Sequence, residues 1–179
     1  MKILLSGGCK NGKSTLAEDC AVKLSESGGG LYYIATMIPH DDEDFVRIER
    51  HIANRAGKGF TTLEQGMNLP DCVTEENACG TFLLDSVTAL LTNEMYHDGI
   101  YEKDAPDKVV QDLLAFAEKV ENAVFVSDFI YSSAEQYSVF TEEYREGLAR
   151  CDKALAQICD AVCEVCTGCI TMYKGELPI

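Results

Sequence analysis

Apolar positions along this chain fall into short unbroken runs set between amphipathic stretches. Lys2–Ser6, Leu31–Thr36, Thr81–Leu84, Ala123–Ser127 and Val162–Val165 are compact runs rich in branched and aromatic side chains, as in strands buried on both faces. Leu16, Ala17, Cys20, Ala21 and Leu24 recur at helical spacing, which predicts a helix from about Lys13 to Glu26 ending at Gly28-Gly29-Gly30. Pro39 and the acidic Asp41-Asp42-Glu43-Asp44 cluster mark the turn into a second helix, running to about Ala56. Val87, Leu90, Leu91 and Met95 predict a third helix. Pro106 to Val120, with proline in its first turn, predicts a fourth, Tyr137 to Asp160 a long fifth, and Ile170–Tyr173 a last strand. Strands alternating with helices predict an α/β fold: a single domain over residues 1–179 whose mostly parallel sheet carries helices on both faces.

Composition narrows the function classes. With 179 residues, 46% of them apolar and 25% charged, and only 4 prolines, the chain is an ordinary globular one, neither disordered nor fibrous. A formal charge of −15 repels nucleic acid and anionic membranes, so any phosphate must be held by a local site. No apolar stretch approaches the ~20 residues of a membrane span, and Ile3-Leu4-Leu5 is short for a signal-peptide core. The expectation is a cytoplasmic protein with no membrane span and no nucleic-acid partner. Its nine cysteines are then expected as reduced thiols, and His40 and His97 as surface residues.

The chemistry is announced directly after the first strand. Gly7-Gly8-Cys9-Lys10-Asn11-Gly12-Lys13-Ser14 matches G-x-x-x-x-G-K-[ST], with a strand before it and a helix after it. Glycines let the backbone turn its N–H groups toward an anion, and the helix presents its positive end to the same point. Lys13 is expected to reach the β- and γ-phosphates and Ser14 to place its hydroxyl on Mg²⁺. Asp85, at the end of the Thr81–Leu84 run, stands where a magnesium shell needs a carboxylate; a helix N-cap is its other role.

A second constellation lies on the second helix. Arg47, His51 and Arg55 are spaced by four, so they stack on one face, beside an apolar face of Phe45, Ile48 and Ile52. The arrangement reads either as a solvated charged face, with pairs such as Glu43 to Arg47, or as a cationic strip looking into a cleft. In the second reading the two guanidiniums favour a neutral imidazole, and His51 is a nitrogen nucleophile for phosphorus.

These segments together resemble the bifunctional adenosylcobinamide kinase and adenosylcobinamide-phosphate guanylyltransferase family of cobalamin biosynthesis. The likeness rests on the Gly7-to-Ser14 loop, Tyr33-Ile34-Ala35-Thr36, Asp42-Glu43 with Arg47-Ile48, His51 and Arg55, Thr62 with Glu64, Leu83-Leu84-Asp85, and Thr92-Asn93. It implies a P-loop NTPase-like fold, a kinase step from ATP or GTP to adenosylcobinamide, and guanylylation of a histidine by GTP before GMP passes to the corrinoid phosphate. By resemblance, His51 takes the place of that histidine. Gly7, Gly8, Cys9, Lys10, Asn11, Gly12, Lys13, Ser14, Ala35, Thr36, Met37, Ile52, Ala53, Asn54, Arg55, Glu64 and Asp85 fall at the nucleotide-contact segments, and the resemblance also implies a homotrimer.

Beyond residue 95 the chain departs from that pattern. Where the family has Asn-Glu-Val-Gly, this chain has Ser127-Asp128-Phe129-Ile130, followed by Tyr131-Ser132-Ser133; an Asn-Gln pair in the last long helix is replaced by Asp152-Lys153. Asp128 is a candidate carboxylate for a metal or for orienting a hydroxyl, or a loop cap. Cys163, Cys166 and Cys169, with Cys159 upstream, echo part of an iron–sulfur run, but the 163–166 spacing along a strand puts two of them on opposite faces, and small buried hydrophobes are the expected role. Two other functions stay open at this point: a P-loop kinase for another hydroxyl compound, with Arg47, His51 and Arg55 clamping phosphates, and a non-catalytic nucleotide-binding or redox-sensing module.

Overall fold

A computed structural model describes residues 1–39 and 41–179; His40 lies outside the described residues. Seven strands form one sheet in the order β3-β2-β4-β7-β1-β8-β9. They are β1 (Lys2–Ser6), β2 (Leu31–Ala35), β3 (Thr61–Glu64), β4 (Thr81–Asp85), β7 (Asn122–Val126), β8 (Ala161–Cys166) and β9 (Cys169–Lys174). All neighbours pair in parallel except β9, which returns antiparallel along β8. The helices are α1 (Lys13–Ser25), α2 (Asp42–Arg55), α3 (Val87–Met95), α4 (Ala105–Lys119) and α5 (Val139–Ile158). Every element expected from the periodicity is present, with ends moved by a residue or two.

Alternation along the strands divides the core in two. Ile3 and Leu5 of β1 pack with Val124, Val126 and Leu83 against Ala17, Cys20 and Ala21 of α1. Leu4, Phe82, Leu84 and Phe125 face the other way, onto Leu90 and Leu91 of α3, Leu113 and Phe116 of α4, and Leu148 and Leu155 of α5. Phe82 is stacked on Tyr32 at 4.8 Å and meets Phe116 edge-on at 5.5 Å. Helix α2 contributes to neither cluster, and its Phe45, Val46 and Ile52 are more than half exposed. Of the apolar face read on α2, Phe45 and Ile52 are therefore open surface and Ile48 is half-buried, and the residue that anchors the helix is Arg55, 8% exposed.

Three small elements escaped the periodicity. Edge strand β3 has exposed residues at three of its four positions, so no alternation marks it. A short 3₁₀ turn covers Leu69–Cys72. The hairpin β5 (Tyr96–His97) and β6 (Ile100–Tyr101) turns at Asp98-Gly99, both at positive φ, the residue pair such a turn favours. His97, expected at the surface, is half-buried in that hairpin with its Nδ1 enclosed.

The register sets the site. Leu5 of β1 and Asp85 of β4 both pair with Val126 of β7, so the chain leaves three adjacent parallel strands at one level. The phosphate loop, the Asp85-Ser86 turn and the Ser127-Asp128 turn thus open side by side at the carboxyl ends of the strands, where open α/β sheets bind ligands.

Candidate active site

The loop between β1 and α1 is shaped by glycine. Gly7 has φ of +146°, and a Cβ there would lie 2.2 Å from the Val165 carbonyl oxygen, so no side chain fits. Gly12 enters α1 in the left-handed region at φ of 90°. Asp41, Ser86 and Ser138 cap α2, α3 and α5 with side-chain oxygens, whereas α1 has no side-chain cap and no acid in its first turn. Its first N–H groups are left for an anion.

Lys13 is 6% exposed and donates to the Gly8 carbonyl at 2.7 Å and to Asp128 Oδ1 at 2.9 Å. Across the opening, His51 Nδ1 lies 3.8 Å from Asp85 Oδ2, and Asp85 accepts the Tyr33 phenol at 3.2 Å. Burial, reinforced by the Asp85 charge, holds the Tyr33 hydroxyl well above the usual phenol range, so it stays a donor. Thr36 Oγ1 accepts the Ser86 N–H at 2.8 Å, and Asn93 Nδ2 donates to the Thr36 and Gly66 carbonyls at 2.7 and 2.8 Å. These bonds tie the ends of β2 and β4, α3 and the segment after β3 into one floor.

The result is a cleft of about 570 Å³ whose walls include Cys9 to Ser14, Met37, His51, Asn54, Asp85 and Asp128. Other expected contact residues stand elsewhere. Gly7 is buried and Gly8 half-buried beneath the loop. Ala35 ends β2, and Thr36 is buried in the floor. Ile52 and Ala53 lie on the exposed side of α2, and Glu64 is exposed at the end of β3.

The cationic strip is altered in one member. Arg47 and His51 face the cleft, but Arg55 turns inward, with its Cζ 3.9 Å over the Tyr33 ring and Nη2 donating to Thr62 Oγ1 at 3.1 Å. Arg50, which four-residue spacing did not select, joins the cleft instead, as do Ser86, Thr88 and Thr92. His51 thus shares the cleft with the Asp85 carboxylate at 3.8 Å as well as with the guanidiniums of Arg47 and Arg50.

The cysteines divide by strand geometry. Cys159 and Cys163 are buried, as expected of small hydrophobes, while Cys166 and Cys169 are exposed and paired across the β8–β9 turn. Among the described residues no group of three or more His, Cys, Asp or Glu side chains is placed to hold a metal ion. No helix among them is long and apolar enough to cross a membrane.

The chain is 30% identical over 177 residues to the bifunctional adenosylcobalamin biosynthesis protein CobP of Pseudomonas aeruginosa, covering 98% of this chain and 99% of that one. It is 28% identical over 182 residues to the CobU protein of Escherichia coli that bears the same description, covering 94% and 97%. In fold it is similar to a KaiC-like protein, PH0186, from Pyrococcus horikoshii, with a TM-score of 0.53 at 12% identity over 98% of this chain and 79% of that one. The family model for cobinamide kinase / cobinamide phosphate guanyltransferase matches residues 3–172, from the first strand to the last and through the departures at 127–133 and 152–153, and the chain belongs to that family.

Proposed function

We propose that this protein transfers a phosphoryl group from ATP or GTP to adenosylcobinamide, and then GMP from GTP, through a guanylylated His51, to adenosylcobinamide phosphate. The observation that carries the reading is convergence. The phosphate loop and His51, brought by different elements, open onto a single cleft, so one nucleotide site can serve two transfers.

In the kinase step the γ-phosphoryl moves to the acceptor hydroxyl while Lys13 and the N–H groups of α1 stabilise the spreading charge. In the transferase step an imidazole nitrogen of His51 attacks the α-phosphorus, pyrophosphate leaves, and the phosphoramidate passes GMP to the corrinoid phosphate. Asp85, 3.8 Å from Nδ1, stands where a small turn of the imidazole brings the two into hydrogen-bond reach. Arg47 and Arg50, on the same helix, are placed to meet phosphate oxygens. Ala35, Thr36, Met37, Ile52, Ala53, Asn54, Arg55 and Glu64 are assigned to the nucleotide-contact segments on the strength of the family resemblance. The Ser14 hydroxyl and Asp85 carboxylate are hard oxygen donors facing one cleft, a set that fits Mg²⁺, which supplies charge neutralisation for the phosphates when bound. A cytoplasmic homo-oligomer belongs to the same reading: nine free thiols suit a reducing compartment, and the open apolar face of α2 suits a subunit contact.

The test is incubation with Mg²⁺ and GTP labelled at the α-phosphate. Acid-labile, alkali-stable covalent label is expected in the wild type and not in His51→Asn, which should retain phosphoryl transfer; Lys13→Ala should lose about 10²-fold or more in both transfers. Protein that binds GTP and phosphorylates the acceptor but takes no label is a plain kinase, and the two-transfer reading fails.

A further inference from the structure

The cleft holds two carboxylates with different neighbours: Asp85 beside His51, and Asp128 beside Lys13. Asp128 lies in the segment where the chain leaves the family pattern, yet that segment is held firmly. The Ser127, Asp128 and Phe129 N–H groups donate to Leu5 O at 2.9 Å, Thr88 Oγ1 at 3.0 Å and Gly7 O at 3.0 Å. From α5, Arg145 donates to the Ile130 and Ser133 carbonyls at 3.2 and 2.9 Å. Tyr131 in turn donates to Asp152 at 3.0 Å. The loop is thus tethered to β1, the phosphate loop, α3 and α5, which fixes where the Asp128 side chain can reach.

That reach is to the reacting end of the nucleotide. In a loop of this kind the lysine ammonium lies against the β- and γ-phosphates, so a carboxylate 2.9 Å from Lys13 Nζ borders the γ-phosphoryl. When phosphates draw Lys13 toward them, Asp128 is left as a partly exposed carboxylate, at 29% exposure, in the wall of the same cleft. The flanking Phe129 and Ile130 are 39% and 38% exposed, so the approach to it is apolar surface. Beside a phosphoryl group, a free carboxylate is repelled unless a proton donor lies between them, and an acceptor hydroxyl is such a donor.

Resting on the reading of the site given above, we infer that Asp128 is the catalytic base of the phosphoryl-transfer step alone, and that its ion pair with Lys13 is the resting form. The acceptor O–H bond breaks and its proton passes to the Asp128 carboxylate. The freed oxygen bonds to the γ-phosphorus, and the bond to the β–γ bridging oxygen breaks, its electron pair leaving on the nucleoside diphosphate. Guanylyl transfer needs no such base. Its nucleophiles are an imidazole nitrogen and then a phosphate monoester oxygen, neither of which has a hydroxyl proton to shed.

The experiment measures both transfers in the same preparations of wild type, Asp128→Asn and Asp128→Glu: turnover of adenosylcobinamide with γ-labelled nucleotide, and covalent label from α-labelled GTP. Asp128→Asn should lower kcat for phosphoryl transfer by about 10²–10⁴-fold, with KM for nucleotide unchanged or lower, because Lys13 loses a competing partner. Its guanylylation should change by no more than about threefold, and Asp128→Glu should restore part of the kinase kcat. Parallel loss of both transfers, or a kinase kcat above a tenth of wild type, overturns the inference while leaving the two-transfer reading standing. Wild-type protein that performs neither transfer overturns that reading and the inference with it.

Discussion

Replacing Asp152 with Asn should stabilise this protein at neutral pH, by an amount set by the surroundings of the carboxyl. Asp152 is 5% exposed on α5, with Oδ2 accepting the Tyr131 phenol and Oδ1 buried near the Ser127 hydroxyl without a hydrogen bond of good geometry among the described residues. Burial, opposed by the nearby Ser127 and Tyr131 hydroxyls and reinforced by the charge of Asp128, pushes the group from 3.8 up to about 6. Below about pH 3 the carboxyl is protonated in both folded and unfolded chains and favours neither. As pH rises from about 3 to 6 the unfolded chain ionises first, so folding is progressively penalised, reaching about 3 kcal/mol above pH 7.

Asn carries no charge at any pH. Its Oδ1 keeps the Tyr131 hydrogen bond, and its Nδ2 supplies a donor to Ser127 Oγ, a buried atom nearby that has no partner among the described residues. The expected gain is about 2–3 kcal/mol at pH 8, or a Tm roughly 5–10 °C higher for a domain of this size. At pH 4.5 the gain shrinks to about 1 kcal/mol. Thermal and urea unfolding of both proteins at the two pH values check this. A variant no more stable than wild type at pH 8, or equally stabilised at both, refutes the reasoning, because the first denies the buried charge and the second denies that it is the charge that matters.

Two further outcomes follow from the packing. Phe82→Ala removes a ring lodged between Tyr32 and Phe116 at 0% exposure and should cost about 3–5 kcal/mol in urea unfolding, with the slope unchanged. Thiol titration of native protein should find Cys9, Cys79, Cys166 and Cys169 reacting fast, Cys72 slower, and Cys20, Cys151, Cys159 and Cys163 only on unfolding; fast reaction of Cys163 would contradict the position of β8 at the side of β1.

What the sequence discloses follows from how locally each constraint acts. The phosphate loop is legible because its geometry demands residue types: Gly7 lies where a Cβ would strike the Val165 carbonyl, and Gly12 where φ is positive. The buried strands are legible because both faces are covered, so β4 and β7 read as unbroken apolar runs. Asp85 is legible as the polar residue ending such a run, and its register with Val126 is what aligns it with the phosphate loop. Helix α2 shows the limit. Spacing by four places Arg47, His51 and Arg55 on one face, but it does not say that the last will fold inward onto Tyr33, nor that Arg50 will reach the cleft in its stead. Those outcomes depend on where the helix axis lies relative to β2 and β3, a tertiary fact.

The pair of Lys13 and Asp128 marks the other limit, being 115 residues apart in the chain and 2.9 Å apart in space. No periodicity or motif spans such a gap; only the strand order does, by inserting β7 between β1 and β4. The same order explains how the two departures from the family pattern, at 127–133 and at 152–153, can be one change rather than two. Tyr131 donates to Asp152 and the Ser127 hydroxyl lies near it, both belonging to the segment that carries Asp128. The altered loop and the altered helix position meet in one buried polar cluster, so substitutions made at one should be read against the other. Asp152→Asn alone, which relieves the buried charge while keeping the phenol's acceptor, separates the energetic part of that cluster from its role in holding the loop.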